Sequence, residues 1–155
     1  MPFYSFDTSS ILNGRRDLLP PGTFPTLWTN IEEMIEAGGI RSIDLVLEEL
    51  EKREGDETHS WAKSHPELFL PLTEDVQQAV RDVLAAHPRL IGIGSGRSGA
   101  DPFVIALAMV HGGTVVTEES ASRNLTKPKI PDACDALDVP HLNLMGFVQG
   151  QNWVF

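Results

Sequence analysis

One cysteine, Cys134, stands in a chain of 155 residues, so no internal disulfide can form and a reducing compartment suits the sequence. A buried structural thiol is the role expected of it. Positive charge is also scarce: 12 Lys and Arg face 22 Asp and Glu, a formal net charge of -10. That balance argues against a protein held on nucleic acid by bulk electrostatics, but not against one that meets phosphate through bound metal. No apolar run approaches the ~20 residues that span a bilayer, and Asp7 falls too early for a secretory signal. A soluble, cytoplasmic protein with no membrane partner is expected. Repeats and low-complexity tails are lacking, and His59, His65, His87, His111 and His141 show no ligand spacing, so none is given a metal role. What remains, 41% hydrophobic and 22% charged residues, is ordinary for a folded chain. A single domain over residues 1–155 would bury roughly two-thirds of its unfolded surface.

The chain is organised around its first eleven residues. Phe3, Tyr4 and Phe6 favour a strand, and Asp7-Thr8-Ser9-Ser10 has the composition of a strand-to-helix turn. Asp7 then stands at the carboxyl end of a first strand, the edge where open α/β sheets bind ligands. The plainer alternative is that Asp7 caps a helix beginning near Ser9. Gly14 and Asp17 to Gly22 read as an exposed connection. Thr26 to Ala37 is an amphipathic helix closed by Gly38-Gly39, and Ile40 to Ile43 a short strand. Asp44 is placed to cap a helix through Arg53. At about 100° per residue, Val46, Leu47 and Leu50 form its apolar face, with Glu49 on the flank and Glu48 nearly opposite. Glu49 therefore leans toward the sheet edge, and Glu48 faces water with Glu51 to Glu54.

Asp56 to Ser64 reads as a short helix anchored by Trp61, and Thr73 to Ala86 as a second amphipathic helix ended by His87-Pro88. Phe103 to His111 is almost wholly apolar, a helix buried on several sides with Asp101 in its first turn. Thr114 to Thr117 reads as a buried parallel strand delivering Glu118 and Glu119. A locally basic stretch with Arg123, Lys127 and Lys129 follows. Then come a short helix to Leu137, a strand over Val139 to Leu144 and a last helical turn over Met145 to Gln151. Trp28, Trp61 and Trp153 fit packing better than base stacking.

Gly94, Gly96 and Gly99 spell G-x-G-x-x-G, with Glu119 twenty residues beyond the last glycine. A nucleotide-binding protein is one reading. Against it, Asp101-Pro102 puts a carboxylate and a proline where a pyrophosphate needs free N–H groups, so a loop is the better reading.

Strands alternating with helices imply an α/β fold with a mostly parallel central sheet. Asp7 and Glu119 then share an edge on which Asp101 and Glu49 can converge. Four carboxylates in one cleft repel unless a cation sits among them, and Mg²⁺ or Mn²⁺ prefers such oxygen donors.

The stretches Phe6-Asp7-Thr8-Ser9, Val46 to Leu50, Ala100 to Ala106 and Val115 to Glu119, in that order and spacing, resemble the PIN-domain ribonucleases. The closer likeness is to a prokaryotic branch akin to VapC-type toxins of toxin-antitoxin pairs, and it covers essentially the whole chain. The resemblance implies a three-layer α/β/α sandwich and metal-dependent endonucleolytic cleavage of RNA. It places the family's acids on Asp7, Glu49, Asp101 and Glu119, as both catalytic and metal-binding groups, with Thr8 or Ser9 and Thr117 as hydroxyl helpers. Asp7 and Asp101 would be inner ligands. Where many members carry Thr-x-Asp, this chain has Thr117-Glu118-Glu119, which lengthens the reach of the fourth acid. Arg97, Arg123, Lys127 and Lys129 are candidates for guiding the RNA backbone. The resemblance also implies a homodimer and an antitoxin partner. A catalytically silent interaction protein on the same fold is the competing reading.

Overall fold

The computed structural model describes residues 2–52, 56–90, 99–124, 126 and 128–155. Five strands form one parallel sheet: β1 (Tyr4–Phe6), β2 (Ile40–Ile43), β3 (Phe69–Leu70), β4 (Thr114–Val116) and β5 (His141–Leu142), in the order β3-β2-β1-β4-β5. Tyr4 lies opposite Ile40 on one side and Thr114 on the other, so β1 is the central strand. Parallel neighbours require crossovers, and eight α-helices supply them among the described residues: α1 (Thr8–Asn13), α2 (Pro25–Ala37), α3 (Asp44–Glu51), α4 (Glu57–Lys63), α5 (Glu74–Ala86), α6 (Asp101–His111), α7 (Ile130–Ala136) and α8 (Leu144–Gly150). The result is a three-layer α/β/α sandwich around an all-parallel sheet. None of these helices is long and apolar enough to cross a membrane.

Each element follows from local chemistry. Leu27, Trp28, Ile31 and Ile35 recur at helical spacing and are buried along α2, which Gly38 ends with φ +87°, a left-handed conformation open to glycine. Val104 to Ala108 of α6 are buried all round, as the unbroken apolar run requires, since this helix packs on β1, β2 and β4. Fully burying an Ile or Leu such as Ile105 or Leu107 stabilises the fold by about 1.5–3 kcal/mol. Two strand serines sit inside the core and are satisfied there: Ser5 Oγ donates to the Val104 carbonyl at 2.8 Å and Ser42 Oγ to the Phe6 carbonyl at 2.6 Å. The second bond fastens β2 to the end of β1, directly beneath Asp7. The Cys134 thiol is buried as expected, and that burial, together with the charges of Asp135, Asp7 and Glu119, pushes its pKa up to about 12.

The structure departs from the sequence expectations in several places. Gly14 is buried, not exposed: α1 runs on into a π turn, Gly14–Leu18, and a Cβ at Gly14 would meet Leu144 Cδ2 at 2.6 Å. The cap of α3 is Ile43, so Asp44 is its first helical residue and not its cap, whereas Asp101 does stand in the first turn of α6. The edge strand β3 was not anticipated, and β5 stops at Leu142 because Asn143 turns the chain into α8, its side chain accepting from Gly146 N at 2.7 Å. Gly94 and Gly96, and with them the G-x-G-x-x-G reading, lie outside the described residues, as does Arg53.

Candidate functional site

From β1 the sheet grows one way through β2 and β3 and the other way through β4 and β5. The strand order therefore reverses between β1 and β4, and the crevice at the carboxyl ends of those two strands is the ligand-binding position of open α/β sheets. Asp7 follows β1 and Thr117 follows β4, so the sequence puts an acid and a hydroxyl on either side of this switch point.

Asp7 is 2% exposed. It is the N-cap of α1, its Oδ1 accepting from Ser10 N at 2.8 Å. The plain capping role and the placement at the sheet edge are both realised. Ser9 Oγ donates toward the two carboxylate oxygens at 2.9 and 2.8 Å, and Thr117 Oγ1 donates to Oδ2 at 2.5 Å across the switch point. Burial pushes the Asp7 carboxyl above the usual carboxylate range, and the bonds from Thr117, Ser10 and Ser9 only partly offset it. The polar partners of this buried acid are hydroxyls and a backbone N–H; it has no cationic partner among the described residues.

The other acids are tied to the same edge through small groups. The Thr117 hydroxyl accepts from Glu119 N at 3.1 Å, and Ser9 Oγ accepts from Glu118 N at 3.0 Å, so both glutamates leave the end of β4 beside Asp7. Glu118 accepts from Leu144 N at 2.6 Å and fastens the start of α8. On the other side, Thr8 Oγ1 donates to Glu49, whose second oxygen accepts from Ala100 N at 3.3 Å, next to Asp101 at the start of α6. Glu49 is half-buried and Glu48 exposed, as the helical spacing required. Asp101 is buried. The ends of β1 and β4 thus bring Asp7, Ser9, Thr117 and the Glu119 backbone together, and Thr8 and the Ala100 amide link Glu49 to the chain beside Asp7 and beside Asp101.

Hard oxygen donors suit Mg²⁺ or Mn²⁺ in kind, and a carboxyl raised by burial is one whose charged form such an ion would favour. Among the described residues, however, no three His, Cys, Asp or Glu side chains stand close enough to share one ion. Of the predicted RNA-guiding residues, Arg123 and Lys129 are exposed on the segment after β4, while Arg97 and Lys127 lie outside the described residues.

Residues 4–155 match the family model described as a domain of unknown function, DUF4411. The chain belongs to the DUF4411 family. A search of curated proteins gave no significant match.

Two residues of this DUF4411 chain were missed by the sequence reading. Arg15, 6% exposed, lies between the rings of Trp28 and Trp61 at 4.6 and 4.4 Å from its guanidinium carbon and is paired with Glu57. Nothing in the local sequence marks a buried cation there; only the fold brings the two tryptophans to it. Asp132 was passed over as part of a helix start. Its carboxylate accepts from Lys129 N at 2.8 Å, Ser122 N and Oγ at 2.9 Å and Arg123 N at 3.0 Å. Lys129 is the N-cap of α7 and has no acceptor in its side chain, so only the Asp132 half of a capping box forms. An acid at the third helical position was the available signal.

Proposed function

We propose that the chain is a metal-dependent endoribonuclease of PIN-domain type, cleaving RNA phosphodiester bonds in the cytoplasm as the toxin of a toxin-antitoxin pair. The observation that carries this reading is the Thr117 to Asp7 hydrogen bond across the switch point, because it draws the acids after β1 and β4 to one edge. The resemblance of the four acid-bearing stretches to that family supports it. Asp7 and Asp101 would hold the ion, with Glu49 and Glu119 completing its shell or orienting water. When bound, Mg²⁺ or Mn²⁺ supplies an activated water and stabilises charge on the leaving oxygen. The chain's own groups do the positioning. Ser9 and Thr117 hold the Asp7 carboxylate, and Thr8 holds Glu49. A homodimer and an antitoxin whose basic segment enters the acidic edge belong to the same proposal.

The hydrogen bonds that already engage both Asp7 oxygens favour a second reading, a silent interaction protein using this crevice for a partner. Titration calorimetry with Mn²⁺ and a cleavage assay on single-stranded RNA, with and without EDTA, separate the two. Mn²⁺ heat lost in Asp101→Asn, together with EDTA-sensitive cleavage, supports the nuclease. Absence of both in the wild type leaves the silent protein.

A further inference from the structure

The segment that follows the acidic edge is built unlike the rest of this acidic chain. From Ser120 to Pro131 it carries Arg123, Lys127 and Lys129 and no acid at all. Its near end is rooted in the site through the Glu118 and Glu119 amides on Ser9 and Thr117. Its two flanks are drawn together by one carboxylate: Asp132 takes Ser122 and Arg123 from one side and Lys129 from the other. Asn124 adds an inner turn, its side chain accepting from Thr126 N at 3.0 Å.

One backbone value stands out. Three non-glycine residues among those described have positive φ: Asp138 at +55°, Asn152 at +58° and Arg123 at +58°. Asp and Asn tolerate that region because their short polar side chains bond locally; arginine gains nothing of the kind and carries the strain. Arg123 and Lys129 are exposed, and no ion pair engages either among the described residues. Fixing a long cation in a strained backbone state beside a cleft of like-charged acids is the arrangement expected of a group that receives a polyanion. The acids alone would repel such a ligand.

We propose that Arg123 and Lys129 form a clamp for the sugar-phosphate backbone of single-stranded RNA, each as a phosphate contact, with Asp132 as the positioning residue that holds their backbone in place. The proposal rests on the ribonuclease reading for its substrate class. It is tested by fluorescence anisotropy with a labelled single-stranded RNA of about 12 nucleotides, on an Asp101→Asn background with Mg²⁺ so that the probe stays intact. Arg123→Gly relieves the backbone strain and removes only the cation. It should melt no lower than its parent yet bind RNA about 3- to 10-fold more weakly, with the salt slope reduced by about 0.7, one phosphate contact. Adding Lys129→Ala should reduce the slope by about 1.4 in all. Asp132→Asn keeps both cations and should still weaken binding, and in the cleaving protein raise KM while kcat holds. Unchanged affinity and slope in the Arg123→Gly/Lys129→Ala pair overturns the clamp, and RNA cleavage with unaltered KM in that pair does so while leaving the nuclease standing. Binding that depends on the pair, in a wild type that cleaves nothing with Mn²⁺, upholds the clamp and retires the nuclease.

Discussion

Asp7 and Asp132 are both buried aspartates at the start of a helix, and both accept hydrogen bonds on each oxygen, yet their acidities move in opposite directions. At Asp7 burial dominates, and two hydroxyls and one backbone N–H leave the carboxyl above its usual range. At Asp132 burial also pushes upward, but the amides of Lys129, Ser122 and Arg123 and the Ser122 hydroxyl outweigh it and hold the pKa at about 2. The difference lies in the donors. Backbone N–H groups are fixed by the chain and present a proton to either state of the acid, whereas a hydroxyl can turn to accept from a protonated carboxyl as readily as donate to a charged one. Asp132 is thus a finished structural joint. Asp7 is an acid kept short of stabilisation, the condition of a functional carboxylate.

The contrast can be broken most sharply at Asp7. In the proposed enzyme Asp7→Asn should lower Mn²⁺-dependent RNA cleavage by at least about 100-fold, read by gel assay. Full activity in both Asp7→Asn and Asp101→Asn would remove the nuclease assignment. The reverse holds for Asp132, where Asn forfeits one acceptor oxygen and strands backbone donors. Its cost should be about 1–3 kcal/mol, or roughly 3–10 °C in melting temperature.

The two acids should also differ in how pH acts on them. Because the folded Asp132 pKa is depressed from 3.8 to about 2, its contribution is complete above the unfolded value and drains away as pH falls toward about 2. For Asp7 the sign inverts: a folded pKa raised above 3.8 means that stability is lost as pH climbs through the carboxylate range. Asp7→Asn should therefore melt higher than wild type at neutral pH, and the gain should vanish in acid. Melting curves from pH 3 to 8 of the two Asn variants should diverge in opposite senses. The smallest effect belongs to Ser9→Ala. Loss of one hydroxyl should cost about 1 kcal/mol and raise the Asp7 pKa further, seen by carboxyl ¹³C NMR.

Much of this arrangement was legible in the chain because it depends on periodicity. The choice of Glu49 over Glu48 follows from 100° steps about α3, and the delivery of Glu119 follows from a β-branched run ending at Thr117. The buried α6 announced itself by composition. What escaped depends on partners distant in sequence. A two-residue strand such as Phe69–Leu70 has too little pattern to declare itself and exists because β2 offers an open edge. Arg15 reads as surface until Trp28 and Trp61 close over it, and Gly14 reads as a linker until Leu144 presses against it. At the site, Thr8, Ser9 and Thr117 were expected beside the acids, but not that Ser9 and Thr117 would both bond Asp7.

The single oxygen of Thr117 joins two duties, donating to Asp7 and accepting from the Glu119 amide. Sliding β4 by one residue against β1 would put Val116 or Glu118 in its position, and the exchange would leave Asp7 facing either a methyl group or a second negative charge. Strand alignment in the centre of this sheet is therefore policed by chemistry at its rim: a misaligned chain would fold around an unanswered carboxyl and be selected against by its own electrostatics.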